Sequence, residues 1–159
     1  MKNILCLLLV LALMRCGGRP GGARAALSGD ELVVALAFPA DDVSSMSPER
    51  QAAYTAACLE LEVMNGGLCQ FFANCPDCVP YVPEALSAIG AEDHRKLYEN
   101  FLSATGIDPL DPVFHTEDMD EFSRLYELWP WEDFDDAYLS LTPVPELLEA
   151  YVKSNPNAF

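Results

Sequence analysis

Glu62-Val63-Met64-Asn65-Gly66-Gly67-Leu68-Cys69-Gln70-Phe71-Phe72-Ala73-Asn74 is the stretch whose reading decides the fold. Upstream of it, Ser47-Pro48-Glu49 has the form of a helix start: an N-cap serine, a proline at the first helical position and an acid in the first turn. Ala52, Ala53, Ala56, Ala57, Leu59, Leu61 and Val63 then carry a long helix to about Met64. Asn65-Gly66-Gly67 is expected to stop it, with Asn65 and Gly66 supplying a left-handed turn. A short second helix through Gln70, Phe71 and Phe72 should follow, its aromatic pair facing the core. Glu62 is placed to accept amides from the start of that helix, and Gln70 or Asn74 to tie down loop carbonyls.

Helix signals continue in both directions. Ser28-Gly29-Asp30-Glu31 reads as a capping box opening a short helix to about Phe38. Beyond a loop punctuated by Pro76, Pro80 and Pro83, helices are predicted at 83–89, ended by Gly90, and at 91–105, ended by Gly106. Further helices are expected at 117–128, 131–141 and 145–154. Leu97, Tyr98, Phe101 and Leu102 recur at helical spacing, and no segment alternates in the manner of a strand between hairpin turns. The expectation is an all-α fold: a single compact domain of about seven to eight helices over residues 27–159, without internal repeats. A chain of 159 residues, 51% hydrophobic and 10% aromatic, suffices for one core.

Residues 1–25 have a different character. Lys2, the apolar run Ile4 to Met14 and the small-residue pattern Ala23-Arg24-Ala25 resemble an export signal, with Gly17 to Gly22 as a flexible joint. The apolar run is too short for a settled transmembrane span. A mis-assigned start, with Met14 or Met46 as the true initiator, is the competing reading. The first places the mature protein outside the cytoplasm or in the cell envelope; the second keeps it in the cytoplasm.

Charge narrows the function. There are 25 acidic and 9 basic side chains, a formal net charge of −16. All the acids follow residue 25, where only five bases remain, so residues 26–159 carry −20. Direct binding to nucleic acid is disfavoured, and attraction towards basic surfaces is expected.

The motif of an acidic residue, Asn-Gly-Gly, then Gln-Phe-Phe and Asn (Glu62, Asn65, Gly66, Gly67, Gln70, Phe71, Phe72, Asn74) resembles the bacterial DNA mimic protein family, whose shared domain long had no assigned function. The similarity runs from about Leu27 to Val152. It implies an all-helical fold, often dimeric, and, in the characterised case, an acidic surface that imitates duplex DNA on the DNA-binding face of a transcription factor. The motif itself is a fold signature, and on its own residues it reads as a helix–helix corner without a ligand site.

Mimicry carries a physical requirement, because duplex DNA presents about one phosphate charge per ~1.7 Å of axis. Between Asp108 and Asp136 lie eleven acids and one base, Arg124. Within that tract Asp118, Asp120, Glu121, Glu127, Glu132, Asp133, Asp135 and Asp136 are the candidate partner-binding residues, the partner being a basic, DNA-binding protein and a second copy of the chain an expected homodimer mate. A merely solubilising surface would look the same in sequence.

Four cysteines follow the N-terminal segment: Cys58, Cys69, Cys75 and Cys78. Cys75 and Cys78 form the local candidate disulfide, Cys58 and Cys69 a second that would join the arms of the corner. A four-cysteine zinc site is the alternative, but one Cys-x-x-Cys is thin support for a metal, and none is assigned. His94 and His115 have no metal-ligand spacing, and His94 reads as a surface residue at a helix start. Trp129-Pro130-Trp131 reads as core or interface. No nucleophile elbow, P-loop or dinucleotide fingerprint occurs, so no catalytic residue, no cofactor and no enzymatic activity is assigned. The competing functional reading is an exported helical domain of unknown role with oxidised cysteines.

Overall fold

The computed structural model describes residues 27–38, 42–116 and 118–159. The expected targeting segment and Glu117 of the acidic tract lie outside them. Seven α-helices occur among the described residues, and no strand. They are α1 (Gly29–Ala37), α2 (Pro48–Asn74), α3 (Val82–Ala88), α4 (Glu92–Thr105), α5 (Met119–Leu128), α6 (Trp131–Leu139) and α7 (Val144–Ser154). Short 3-10 turns at Val43–Ser45, Pro76–Tyr81 and Pro112–His115 link them.

The hub is α2, against which α1, α3, α6, α7 and the Pro76–Tyr81 turn all pack. Its composition explains this. Ala53, Ala56 and Ala57 are buried and small, so neighbouring helices approach closely, while Leu59 and Val63 fill the space between them. A helix surrounded in this way needs apolar residues on most of its circumference, and its sequence supplies them. The start is as expected: Pro48 is the first helical residue and the Ser47 hydroxyl accepts the Arg50 N–H.

At the diagnostic motif the chain turns sharply, so that Asn74 comes within 2.8 Å of Glu62, twelve positions earlier. Asn65 remains helical, Gly66 has an extended φ of −162°, and the left-handed residue is Gly67, at φ +80°. The expected corner between two helical arms is present within Pro48–Asn74, but its left-handed residue is Gly67, and Asn65 and Gly66 do not supply it. The second arm, from Leu68, buries Phe71 and Phe72 completely. Phe72 meets Tyr98, Phe114 and Trp131 at ring separations of 6.3, 5.3 and 6.1 Å, edge to face, so that one side chain joins α2, α4, the Pro112–His115 turn and α6.

Three other expectations change. The Ser28 side chain makes no capping bond; instead the N–H of Gly29 donates to Glu149 of α7 at 2.7 Å, so the first helix is capped by the last. His94 is buried, its ring edge-on to Tyr138 at 4.8 Å, and desolvation holds its pKa below the ordinary histidine value. The segment expected as an irregular loop between Asn74 and Pro83 is the six-residue 3-10 turn.

Candidate functional site

The kink is also where the sequence motif resolves into a hydrogen-bond network. Glu62, one turn before it, accepts the side-chain amides of Gln70 at 2.6 Å and Asn74 at 2.8 Å, drawing the two arms of α2 together. Glu62 therefore bonds side-chain amides, and the exposed backbone N–H at the start of the second arm goes elsewhere. That donor, Leu68 N–H, is bound at 3.0 Å by the carboxylate of Asp135 on α6. A Cβ at Gly67 would collide with this carboxylate, and one at Gly66 with the Gln70 side chain. Tyr126 completes the arrangement by donating its hydroxyl to the Gly66 carbonyl at 2.8 Å. The signature residues are thus a bracket that fixes α5 and α6 on α2.

The acidic tract divides accordingly. Asp135 is half-buried and engaged; burial raises its pKa, the Leu68 N–H opposes that, and Asp136 and Glu132 add repulsion. Asp118 caps α5, accepting the N–H groups of Asp120 at 2.8 Å and Glu121 at 3.2 Å, and Glu121 accepts the Thr116 hydroxyl at 2.8 Å. The carboxylates of Asp120, Glu127, Glu132, Asp133 and Asp136 are exposed and enter no hydrogen bond or ion pair among the described residues. They lie on α5 and α6, between which Trp131 is buried with its indole N–H on the Leu125 carbonyl at 2.8 Å, and Trp129 is half-buried. By contrast, Arg95, Lys96 and Lys153 are tied to Glu92, Glu99, Asp93 and Glu149. The free negative charge of the tract is therefore little offset by bases.

The cysteines are grouped differently from the sequence expectation. Cys58, Cys75 and Cys78 have their sulfurs within hydrogen-bonding reach of one another, while Cys69 lies near Asp135, its pKa raised to about 12 by burial and then by that charge. Cys58 and Cys69 thus keep different company across the break in α2, and they are not paired. All four carry free thiols. Among the described residues no group of three or more His, Cys, Asp or Glu side chains is arranged to hold a metal ion, and no helix is long and apolar enough to cross a membrane.

A buried polar pair that sequence reasoning missed lies across the core: the Tyr138 hydroxyl donates to Glu60 at 2.8 Å. Desolvation raises the Glu60 pKa, opposed by that hydrogen bond. The residues are 78 positions apart, and Glu60 in sequence is one more acid on a helix.

The described residues thus form an all-helical domain with a bracketed kink and several exposed carboxylates on α5 and α6. Residues 44–155 match the model of the DMP19-like protein family, and the chain belongs to that family, the DNA mimic family that its motif resembles. Neither the curated proteins nor the solved structures contain a match to the chain.

Proposed function

We propose that this protein is a non-enzymatic, acidic binding protein of the DNA-mimic type, whose partner is a basic DNA-binding protein. Family membership over residues 44–155 is the observation that carries the reading. The chemistry of the α5–α6 region agrees with it. A DNA-reading face is built to neutralise a dense array of phosphates, so its surrogate needs carboxylates that are solvated, close together and not engaged within their own fold. Asp120, Glu127, Glu132, Asp133 and Asp136 are exposed and unengaged, within seventeen positions of sequence; Asp118 and Glu121 contribute charge while also ordering the start of α5; Asp135 is a structural residue bonded to Leu68 N–H. A second copy of the chain is the expected homodimer mate, and sedimentation of the purified protein tests that.

This reading requires the protein and its partner to share a compartment with DNA, so cell fractionation of the native host is its first check. The decisive experiment is affinity capture from that host at low and high salt, followed by competition with duplex DNA. The expected result is a basic DNA-binding protein, held at low salt and displaced by the duplex. A captured partner that binds this chain and DNA together would exclude mimicry.

A further inference from the structure

We propose that Cys58, Cys75 and Cys78 form a thiol–disulfide exchange site that takes low-molecular-weight disulfides as its oxidant, with Cys75 as the entry sulfur and Cys78 as its resolving partner. Placement argues for it first. Cys75 closes α2 and opens the Pro76–Tyr81 turn, and the Cys78 N–H donates to the Cys75 carbonyl at 3.0 Å. In a 3-10 turn residues i and i+3 eclipse and are about 6 Å apart, inside the roughly 4.4–6.8 Å that a disulfide spans. Cys58, from the middle of α2, brings a third sulfur against both.

Access is graded in the way exchange requires. Cys58 and Cys78 are 4% and 1% exposed, whereas Cys75 is only half-buried and can meet a solute. A second feature of the site asks for a charge. The Thr55 hydroxyl is fully buried, has no hydrogen-bond partner while Cys78 is a thiol, and lies within reach of its sulfur, as does the Tyr54 hydroxyl. A thiolate at Cys78 supplies the missing acceptor. The polar neighbours of Cys78, Cys58 first and then Cys75, accordingly draw its pKa below the ordinary thiol value against the effect of burial. At Cys75 the lowering effect of Cys58 is outweighed by Cys78, burial and, last, the charge of Glu62, which together raise its pKa and direct the resting charge to Cys78.

The exchange balances without any further reagent. Cys78 thiolate takes the proton of Cys75; the Cys75 sulfur attacks one sulfur of the incoming disulfide, forming a mixed disulfide and expelling one thiolate, which Cys78 reprotonates. Cys78 thiolate then attacks the Cys75 sulfur and expels the second thiolate, which takes its proton from water. Two protein thiols are oxidised and one external disulfide is reduced to two thiols. Cys58, whose thiol donates to the Ala37 carbonyl at 3.8 Å, and Thr55 flank Cys78 and form no bond to the oxidant.

The test is equilibration of the full chain with graded ratios of reduced and oxidised glutathione near neutral pH, then acid quench, alkylation and peptide mass mapping, with Cys6 and Cys16 followed separately. Loss of two hydrogens from the peptide holding Cys75 and Cys78, reversed by reduced glutathione, is expected. Cys78→Ser should stop at glutathione attached to Cys75, Cys75→Ser should take up none in this peptide, and Cys58→Ser and Cys69→Ser should still close the pair. Free thiols at both Cys75 and Cys78 across the whole series would overturn the proposal, as would a bond to Cys69 or thiols protected by a stoichiometric bound metal. The unsubstituted chain alone decides the question if a variant fails to fold.

Discussion

The carboxylate of Asp135 accepts the N–H of Leu68 from across 67 residues of chain, at 3.0 Å, and so caps the second arm of α2 from another helix. The bond exists because Gly67, at φ +80°, interrupts the helical ladder and leaves that N–H without an acceptor in its own segment. Asp135→Ala should therefore cost about 1–2 kcal/mol, the worth of a helix cap. Asp135→Asn, which keeps an accepting oxygen and removes a raised-pKa carboxylate from repulsion by Asp136 and Glu132, should be close to neutral at pH 7. Equal losses for both variants in urea denaturation would show that the charge, and not the cap, is what matters.

The two glycines of the motif separate by the same logic. Gly67→Ala places a Cβ against the Asp135 carboxylate in a left-handed conformation and should lose on the order of 2–4 kcal/mol. Gly66→Ala meets only the flexible Gln70 side chain, at an extended φ open to any residue, and should lose about 1 kcal/mol by disturbing its bond to Glu62. Thermal unfolding of the two variants side by side reads the difference; the reverse order would put the left-handed residue at Gly66.

Phe72→Ala should be among the most destabilising single changes, about 3–5 kcal/mol, because it empties the point where rings from four segments converge. Tyr126→Phe removes only an exposed hydroxyl bond to the Gly66 carbonyl and should cost less than about 1 kcal/mol. Denaturant midpoints measure both.

These contrasts mark what sequence could and could not supply. Local signals were dependable: Ser47-Pro48 begins α2 as written, Gly106 ends α4, and α6 and α7 start within a residue of their predicted positions. Phe71 and Phe72 were recognisable as core because two adjacent aromatics in a helix must both find cover. What failed was pairing at a distance. The caps from Glu149 to Gly29 and from Asp135 to Leu68, and the Glu60–Tyr138 bond, join segments 120, 67 and 78 residues apart. Nothing in one sequence distinguishes Asp135 from its exposed neighbour Asp136. Which glycine of Gly66-Gly67 turns left-handed was equally hidden, since both can.

Burial of Glu60 gives stability a pH dependence. Its carboxyl pKa is raised in the folded state, by desolvation against the Tyr138 bond, so the folded protein holds this proton more tightly than the unfolded chain. Stability from this group therefore falls as pH rises from the ordinary carboxylate range through the raised value, and is regained on acidification; Asp135, raised likewise, acts in the same direction. Glu60→Gln retains an acceptor for the Tyr138 hydroxyl without the charge. It should raise the melting temperature at neutral pH, and the gain should shrink as pH approaches the ordinary carboxylate pKa. A gain independent of pH would mean that Glu60 titrates in the fold as it does in the unfolded chain.

Salt and charge test the proposed function most directly. Changing Asp120, Glu127, Glu132, Asp133 and Asp136 together to Asn or Gln removes five charges, none of which makes a hydrogen bond or ion pair among the described residues. Asp118 and Asp135 are left in place because each caps a helix, so folding should survive, with far-ultraviolet circular dichroism unchanged. A partner built to neutralise phosphates attracts the parent protein over distances comparable with the Debye length, about 10 Å at 0.1 M salt and about 3 Å at 1 M. Association with the captured partner should accordingly be fast and weaken steeply with ionic strength for the parent. For the variant, affinity at low salt should drop by at least about tenfold, on the order of 1.4 kcal/mol, and the salt dependence should flatten. A folded variant that binds as tightly as the parent, with the same response to salt, would reduce the tract to a solubilising surface and move the binding face elsewhere on the domain.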